Sequence, residues 1–151
     1  MESGSFSKIK KKNTKNKIVA VDILPVEHID GVEYIQGDFL EKETIKKITK
    51  IFNNHKIDLI LSDISPNLTG ISVADSSRVN HLGELVLDFC NDNLSQDGTL
   101  LLKTFHGSGY SQLVEKYKQV FCKVLRKKPD SSRSESSEVF LIAKNLKNKV
   151  V

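Results

Sequence analysis

Short apolar runs alternate with segments of helical periodicity along most of the chain. Each run is rich in β-branched residues and stops at a polar or turn-forming residue, a pattern typical of buried strands. The predicted strands cover residues 17–21, 32–35, 57–61, 99–102, 123–126 and 139–143. Apolar residues at helical spacing predict helices over residues 41–53, 78–94 and 110–121.

This alternation predicts the fold class. Helices that follow short, almost wholly apolar strands indicate an α/β domain with a mostly parallel sheet covered on both faces. The last two predicted strands are joined by about a dozen polar residues without a helical pattern, so they can pair antiparallel at one edge of the sheet. Asp97-Gly98 is a predicted turn that leads into the strand at residue 99.

The composition is that of one soluble globular domain. The 151 residues are 38% hydrophobic and 28% charged, which is enough apolar material for a single core. The longest apolar runs are far too short to cross a bilayer, and residues 1–17 contain no apolar stretch of the secretory type. Cys90 and Cys122 lie far apart among apolar residues, so both are expected to be buried free thiols in a cytoplasmic protein.

The positive charge is unevenly distributed. The formal net charge is +4, but residues 1–17 contain six lysines and one glutamate, so the remaining residues sum to −1. A second basic cluster consists of Lys123, Arg126, Lys127, Lys128 and Arg133. Two basic patches favour an anionic partner, with nucleic acid first, although a solvated surface explains an isolated lysine run equally simply.

Ionisable residues stand close to the ends of the first four predicted strands. Asp22, Asp38, Asp63 and Lys103 occupy these positions, and Glu138 precedes the last strand. A single acid at a strand end usually caps the next helix. Because ligands of open α/β sheets bind outside the carboxyl ends of the strands, four such groups together indicate a site. Glu138 can join them if its strand runs antiparallel.

The residue types suit nucleoside chemistry. An acid that closes the second strand of a nucleotide-binding sheet can accept both ribose hydroxyls, and an acid one strand further along can accept an adenine amino group. A lysine flanked by acids can act on a hydroxyl once it has lost its proton, although Asp63 beside Lys103 favours the charged form. The histidines lack the spacing of metal ligands and are interpreted as structural.

These residues lie in motifs that resemble the FtsJ/RrmJ-type 2′-O-ribose methyltransferases. Their order and spacing fit the bacterial enzymes over nearly the whole chain. The matching segments are Val21-Asp22-Ile23-Leu24-Pro25, Gln36-Gly37-Asp38-Phe39, Leu61-Ser62-Asp63-Ile64-Ser65-Pro66-Asn67, Leu102-Lys103-Thr104-Phe105-His106-Gly107, Arg126-Lys127-Lys128-Pro129-Asp130-Ser131-Ser132-Arg133 and Ser137-Glu138-Val139-Phe140.

The resemblance implies a Rossmann-like fold and an S-adenosylmethionine-dependent enzyme that methylates the ribose 2′-hydroxyl of a uridine in large-subunit ribosomal RNA. Asp22 and Asp38 would contact the ribose and adenine of the donor, and Asp63 would lie between donor and acceptor. Lys103 matches the proton acceptor, and Glu138 matches the final acid of a Lys-Asp-Lys-Glu set. The implied partners are ribosomal RNA and the large ribosomal subunit, without a metal, a membrane or an obligate protein partner.

The N-terminal segment departs from the family pattern. The family's first, central strand, the start of its Asp-x-Gly-x-x-Pro-Gly loop and the first lysine of the set have no counterpart. Gly4 and Phe6 fit donor-contacting positions at the end of that loop. We therefore expect an N-terminally truncated fold with a basic remnant at 1–16, a methyltransferase domain at 17–146 and a tail at 147–151. The predicted first and third strands would then each expose an unpaired apolar edge.

Two alternatives remain open at this stage. The substrate is transfer RNA in related eukaryotic enzymes, although the short chain favours the ribosomal type. A catalytically inactive RNA-binding module is the alternative from a different class. Retention of Asp63, Lys103 and Glu138 argues against it, whereas the incomplete donor loop argues for it.

Overall fold

A computed structural model describes residues 16–128, 130 and 137–148. The chain forms two compact units that divide between Ile51 and Phe52. The predicted donor residues Gly4 and Phe6, and Arg133 of the predicted basic cluster, lie outside the described residues.

The first unit is a two-stranded parallel sheet with one helix. Strand β1 (Ile18–Asp22) pairs with β2 (Val32–Gln36), and helix α1 (Lys42–Phe52) follows. Ile35, Thr44 and Ile48 are its buried residues. Gly37 lies so close to Thr44 that a Cβ atom would stand 2.6 Å from the threonine hydroxyl. A glycine therefore allows the end of β2 to approach α1.

The second unit is a four-stranded mixed sheet with two helices. Its elements are β3 (Ile57–Ser62), α2 (Ser72–Asn93), β4 (Leu94–Phe105), α3 (Tyr110–Val120), β5 (Phe121–Lys127) and β6 (Glu138–Leu146). The strand order is β3-β4-β6-β5. Strands β3 and β4 are parallel, whereas β6 runs antiparallel to both β4 and β5. The predicted antiparallel pairing of the last two strands is confirmed.

The core of the second unit lies under α2 and α3. The two helices contact each other, and the Tyr117 hydroxyl donates a hydrogen bond of 2.8 Å to the Gly83 carbonyl. Alternate residues of the central strands are fully buried, including Leu100 and Leu141. On β3, Leu61 remains 68% exposed. Within the second unit, α2 and α3 therefore pack on one face of this sheet.

The strand pairings agree with the expected exposed edges. Among the described residues, β1 pairs with β2 alone and β3 pairs with β4 alone. Ile18 on β1 and Leu59 on β3 are both more than half exposed.

No helix in the described part of the chain has the length and apolar character needed to span a membrane.

Two local predictions were wrong. Helix α2 begins at Ser72, six residues before the predicted start, because residues 72–77 carry too few apolar side chains to show helical periodicity. The predicted turn Asp97-Gly98 falls within the bounds of β4, but the pairing with β3 is irregular there, and Gly98 lies against Leu94. Regular pairing begins at Thr99, as predicted. Cys90 is buried as predicted, but Cys122 is exposed because it lies on β5, a strand at the sheet edge.

Candidate active site

Lys103 lies between two carboxylates at one end of the four-stranded sheet. Its Nζ stands 2.5 Å from Asp63 Oδ1 and 3.9 Å from Glu138 Oε1. The lysine side chain is 24% exposed, whereas that of Asp63 is 75% exposed. The first distance is a charge-assisted hydrogen bond, and the second is an ion pair without a direct hydrogen bond.

Strand register explains why these three residues meet. Ser62 pairs with Leu102 across the parallel strands, so Asp63 and Lys103 follow at the same level. Phe105 pairs with Glu138 because β6 runs antiparallel to β4. Because β6 runs antiparallel, Glu138 lies at the same end of the sheet as Asp63 and Lys103, as predicted for this case.

The two acids hold Lys103 in its charged form. The hydrogen bond that Lys103 donates to Asp63 is the largest cause that raises the pKa of Lys103 above 10.5, and the charges of Asp63 and Glu138 raise it further, while burial opposes the shift. Lys103 is therefore an ammonium at neutral pH. It can accept a proton only from the small neutral fraction, which grows as the pH rises.

Asp22 and Asp38 lie at the carboxyl ends of β1 and β2 in the first unit. The Gly37 amide donates a hydrogen bond of 2.9 Å to the Asp22 carbonyl, which ties the two strand ends together. Each carboxylate also binds its own loop. Asp22 Oδ1 accepts the Leu24 amide at 2.9 Å, and Asp38 Oδ1 accepts the Leu40 amide at 2.8 Å.

These two acids retain capacity for a ligand. Within the part of the chain that the structure describes, the second oxygen, Oδ2, of Asp22 and of Asp38 makes no hydrogen bond. Such oxygens suit the hydroxyl and amino donors of a nucleoside. The residue types and their placement therefore fit a donor nucleoside, and they equally fit the simpler role of ordering the following loops.

Two residues of α2 that the sequence analysis missed organise the loop after Asp63. Asp75 accepts hydrogen bonds from the Thr69 amide and hydroxyl, both at 2.8 Å, and from the Gly70 amide at 2.9 Å. The amide of Thr69 is the largest cause that lowers the pKa of Asp75. Arg78 donates a hydrogen bond of 3.2 Å to the Asn67 carbonyl. The helix predicted from periodicity begins at residue 78, so Asp75 lies outside it.

Helix α2 also holds the loop after Lys103. The Asn80 side-chain amide donates a hydrogen bond of 2.7 Å to the Ser108 carbonyl. Gly109 has φ = 81° and lies against Asn80 with no room for a Cβ atom. The His106 amide donates a hydrogen bond of 2.7 Å to the Ser137 carbonyl, next to Glu138. One helix therefore fixes the loops that follow both Asp63 and Lys103.

Part of the predicted basic cluster lies on the same sheet as Lys103. Lys123, Arg126 and Lys127 are exposed residues of β5, and Lys128 follows the strand. Phe140 of β6 pairs with Lys103 on one side and with Lys127 on the other. The register thus aligns Lys127 with Lys103 across three strands.

In the described ranges, no group of three or more His, Cys, Asp or Glu residues is arranged to hold a metal ion.

Comparison with known proteins gives one consistent family. The profile of the FtsJ-like methyltransferase family matches residues 2–146. The ribosomal RNA large subunit methyltransferase E of Bordetella pertussis is 48% identical over 131 residues, which are 87% of this chain and 62% of that protein. The protein of the same name from Paraburkholderia phytofirmans is 49% identical over 86% of this chain and 59% of its own length. The chain thus spans about 60% of the length of these curated relatives.

Solved structures share the fold. A crystal structure from Plasmodium falciparum, assigned as a ribosomal RNA methyltransferase, superposes with a TM-score of 0.77 at 29% identity, covering 89% of this chain and 75% of that one. Human methyltransferase-like protein 13, solved with SAH, superposes with a TM-score of 0.61 at 16% identity, covering 89% of this chain and 64% of that one. The second similarity supports a Rossmann-like methyltransferase fold alone. From the profile match over residues 2–146, we conclude that the chain belongs to the FtsJ-like methyltransferase family.

Proposed function

We propose that the protein transfers a methyl group from S-adenosylmethionine to the ribose 2′-hydroxyl of a uridine in large-subunit ribosomal RNA. The observation that carries the proposal is the position of Lys103 between Asp63 and Glu138 at the sheet end. The relatives named ribosomal RNA large subunit methyltransferase E support the substrate class.

The donor site is assigned to residues from several segments. Asp22 and Asp38 would hold the ribose and adenine through the carboxylate oxygens that remain unused. Gly4 and Phe6 would contact the donor from the N-terminal segment, and Asp63 would lie between donor and acceptor. When bound, S-adenosylmethionine supplies a methyl group already activated for transfer. No metal is required by this scheme.

Lys103 is assigned as the proton acceptor. A ribose 2′-hydroxyl is a poor nucleophile at neutral pH, so a positioned base accelerates its reaction, typically by about 10²–10⁴-fold. Asp63 orients the Lys103 amine through the 2.5 Å contact. Glu138, at 3.9 Å, positions the lysine or the acceptor ribose. Alignment of hydroxyl and donor can supply several further kcal/mol, roughly 7–11 in well-oriented intramolecular reactions.

The expected partners are ribosomal RNA and the large ribosomal subunit, in the cytoplasm. The exposed lysines and arginine of β5 would contact phosphates. No obligate protein partner and no membrane association are proposed. Transfer RNA is the competing substrate, and an RNA-binding module without turnover is the competing role.

The experiment that tests the proposal is a methylation assay with the protein in its natural full length. Large ribosomal subunits, free large-subunit RNA and transfer RNA, all unmethylated at the ribose, are incubated with donor carrying an isotopically labelled methyl group. Mass spectrometry of nuclease digests should detect labelled 2′-O-methyluridine from the ribosomal substrates. Label confined to transfer RNA would reassign the substrate. RNA binding without any label would favour the inactive module.

A further inference from the structure

The loop between β3 and α2 differs in character from the rest of this basic chain. Residues 64–74 contain no charged side chain, although 28% of the protein is charged. Three large apolar side chains in this stretch point into solvent. Leu68 is 58% exposed, Ile71 64% and Val73 73%. Several exposed apolar side chains in one segment mark an interaction surface more often than an isolated exposed leucine does.

The backbone of this loop is fixed, so its apolar side chains cannot easily withdraw from solvent. Asp75 and Arg78 hold it through the four hydrogen bonds described above. Gly70 adopts φ = 83°, a left-handed turn that favours glycine. Leu68 lies five residues after Asp63 in the chain. The loop that follows Asp63 therefore presents apolar side chains on an ordered backbone.

A basic strand and an uncharged loop lie on opposite sides of Lys103 along the sheet. The strand order is β3-β4-β6-β5, with Lys103 on β4 and Lys127 aligned with it on β5. The uncharged loop extends from β3, on the opposite side of Lys103 from Lys127. The three inter-strand spacings from β3 to β5 amount to about 14 Å, a distance on the scale of one or two nucleotides. Basic side chains are thus concentrated on one side of Lys103, whereas residues 64–74 on the other side carry no charged side chain.

We propose that Leu68 and Ile71 form an acceptor-side surface that packs against a nucleobase of the RNA, while its phosphates lie toward β5. The inference rests on the proposed function, because it takes RNA as the acceptor. The flat, weakly polar face of a base suits an uncharged apolar loop, whereas a phosphate suits the lysines of β5. A ribose lies between its base and its phosphates, which matches the intermediate position of Lys103. Asp75 acts as a positioning residue for this surface.

The test is the double variant Leu68→Ser with Ile71→Ser, examined in the natural full-length protein. Ile29→Ser is the matched control, since Ile29 is 57% exposed and lies in the first unit. RNA affinity is measured by fluorescence anisotropy without donor over a series of salt concentrations. Donor affinity is measured by calorimetry, and folding by thermal melting. Turnover is measured at saturating RNA.

We expect the double variant to weaken RNA binding about tenfold, a scale set by the apolar area that two such side chains can bury. The dependence of log Kd on log salt should keep the wild-type slope, because no phosphate contact is lost. Donor affinity and melting temperature should equal those of the control. Asp75→Asn should weaken RNA binding in the same way, and Asp75→Glu should restore part of it.

Several results would overturn the inference. RNA affinity equal to that of wild type would show that no base contacts the loop. Weaker donor binding would assign the surface to the donor instead. A lower melting temperature, with activity following the folded fraction, would make the surface structural. Normal binding to free RNA with weaker binding to ribosomal subunits would assign it to a ribosomal protein. An inactive wild type that still showed the expected RNA-binding differences would refute the proposed function alone.

Discussion

The two units place acidic residues at strand ends in the same way but use them differently. In the first unit, Asp22 and Asp38 each bind a backbone amide of their own loop, and their second oxygens make no bond among the described residues. In the second unit, Asp63 and Glu138 converge on Lys103. The difference arises from the neighbouring strands, because β4 brings a cation to the level of Asp63 and β6 runs back to deliver a second acid.

A carboxylate at a strand end therefore has no fixed role. Where a cation lies opposite, as Lys103 does for Asp63, the acid keeps that cation charged and orients it. Where no cation lies opposite, the acid orders its own loop and keeps one carboxylate oxygen for a ligand. The first arrangement suits chemistry on a hydroxyl and the second suits nucleoside binding. The following variants separate these roles, beginning with the largest expected effect.

Lys103→Ala should lower turnover by at least about 10²-fold, because the positioned base is lost. Donor affinity should remain near that of wild type. Lys103→Arg should not restore turnover, since a guanidinium cannot release its proton at accessible pH. Wild-type turnover should rise with pH through the neutral range, because the raised pKa leaves few Lys103 amines neutral there. Single-turnover rates with labelled donor, measured between pH 6 and 10, provide the check.

Lys116→Ala is the matched control, because Lys116 makes a 2.5 Å ion pair with Glu84 in the same unit. It should leave turnover unchanged. A folded Lys103→Ala or Lys103→Arg protein that methylates at nearly the wild-type rate would remove Lys103 from the mechanism. Loss of turnover only in proportion to loss of folded protein would assign the Lys103–Asp63 pair a purely structural role.

Asp22→Asn and Asp38→Asn should each weaken donor binding by roughly 10- to 100-fold, the equivalent of one charge-assisted hydrogen bond of about 1.5–3 kcal/mol. Turnover at saturating donor should change little, because neither acid touches Lys103 in this assignment. Calorimetry with donor measures the effect, and Asp30→Asn is the control, since Asp30 pairs with His28 on the surface of the same unit. Unchanged donor affinity would leave these acids only the ordering of their loops.

Replacing Lys127 and Lys128 together with Ala should weaken RNA binding across sequences and reduce the salt slope by about 1–2 units, since each phosphate contact adds roughly 0.9. A paired control, Lys116→Ala with Lys118→Ala, removes two lysines from α3 that form ion pairs with glutamates. Titrations over a range of salt concentrations distinguish the two pairs. An unchanged slope in the first pair would mean that the β5 cluster does not face RNA.

The smallest effect concerns stability. Asp63→Asn should cost about 0.2–1 kcal/mol at pH 7, because the pair is partly exposed to solvent. The folded-state pKa of Lys103 is raised, so this contribution is fully present below pH 10.5 and is lost as the pH rises through the folded-state value. Denaturant melts of wild type and variant at pH 7 and above pH 10.5 should converge at the higher pH. A difference that grows with pH would contradict the origin assigned to the shift.

Local sequence patterns determined most of the secondary structure and the identity of the central residues. Apolar runs located the six strands within a few residues, apart from β4, and strand-end positions selected Asp63 and Lys103 before any register was known. The start of α2 could not be predicted, because its first turns lie beside a loop and lack an apolar stripe. The hydrogen bonds from Asp75 and Asn80 to the loops could not be predicted either. All but one of their partners are backbone groups, which no side-chain pattern identifies.

The sequence by itself determined the family, the strand and helix segments and which residue types stand at strand ends. Tertiary structure decided which of these residues meet. The 2.5 Å contact of Lys103 with Asp63 depends on parallel register, and the approach of Glu138 depends on the reversal of β6. Tertiary structure also decided the charge state of Lys103, because its pKa depends on its distances to Asp63 and Glu138, which are far away in the chain. Periodicity reports which face of an element is apolar, whereas register and electrostatics arise only when distant segments pack.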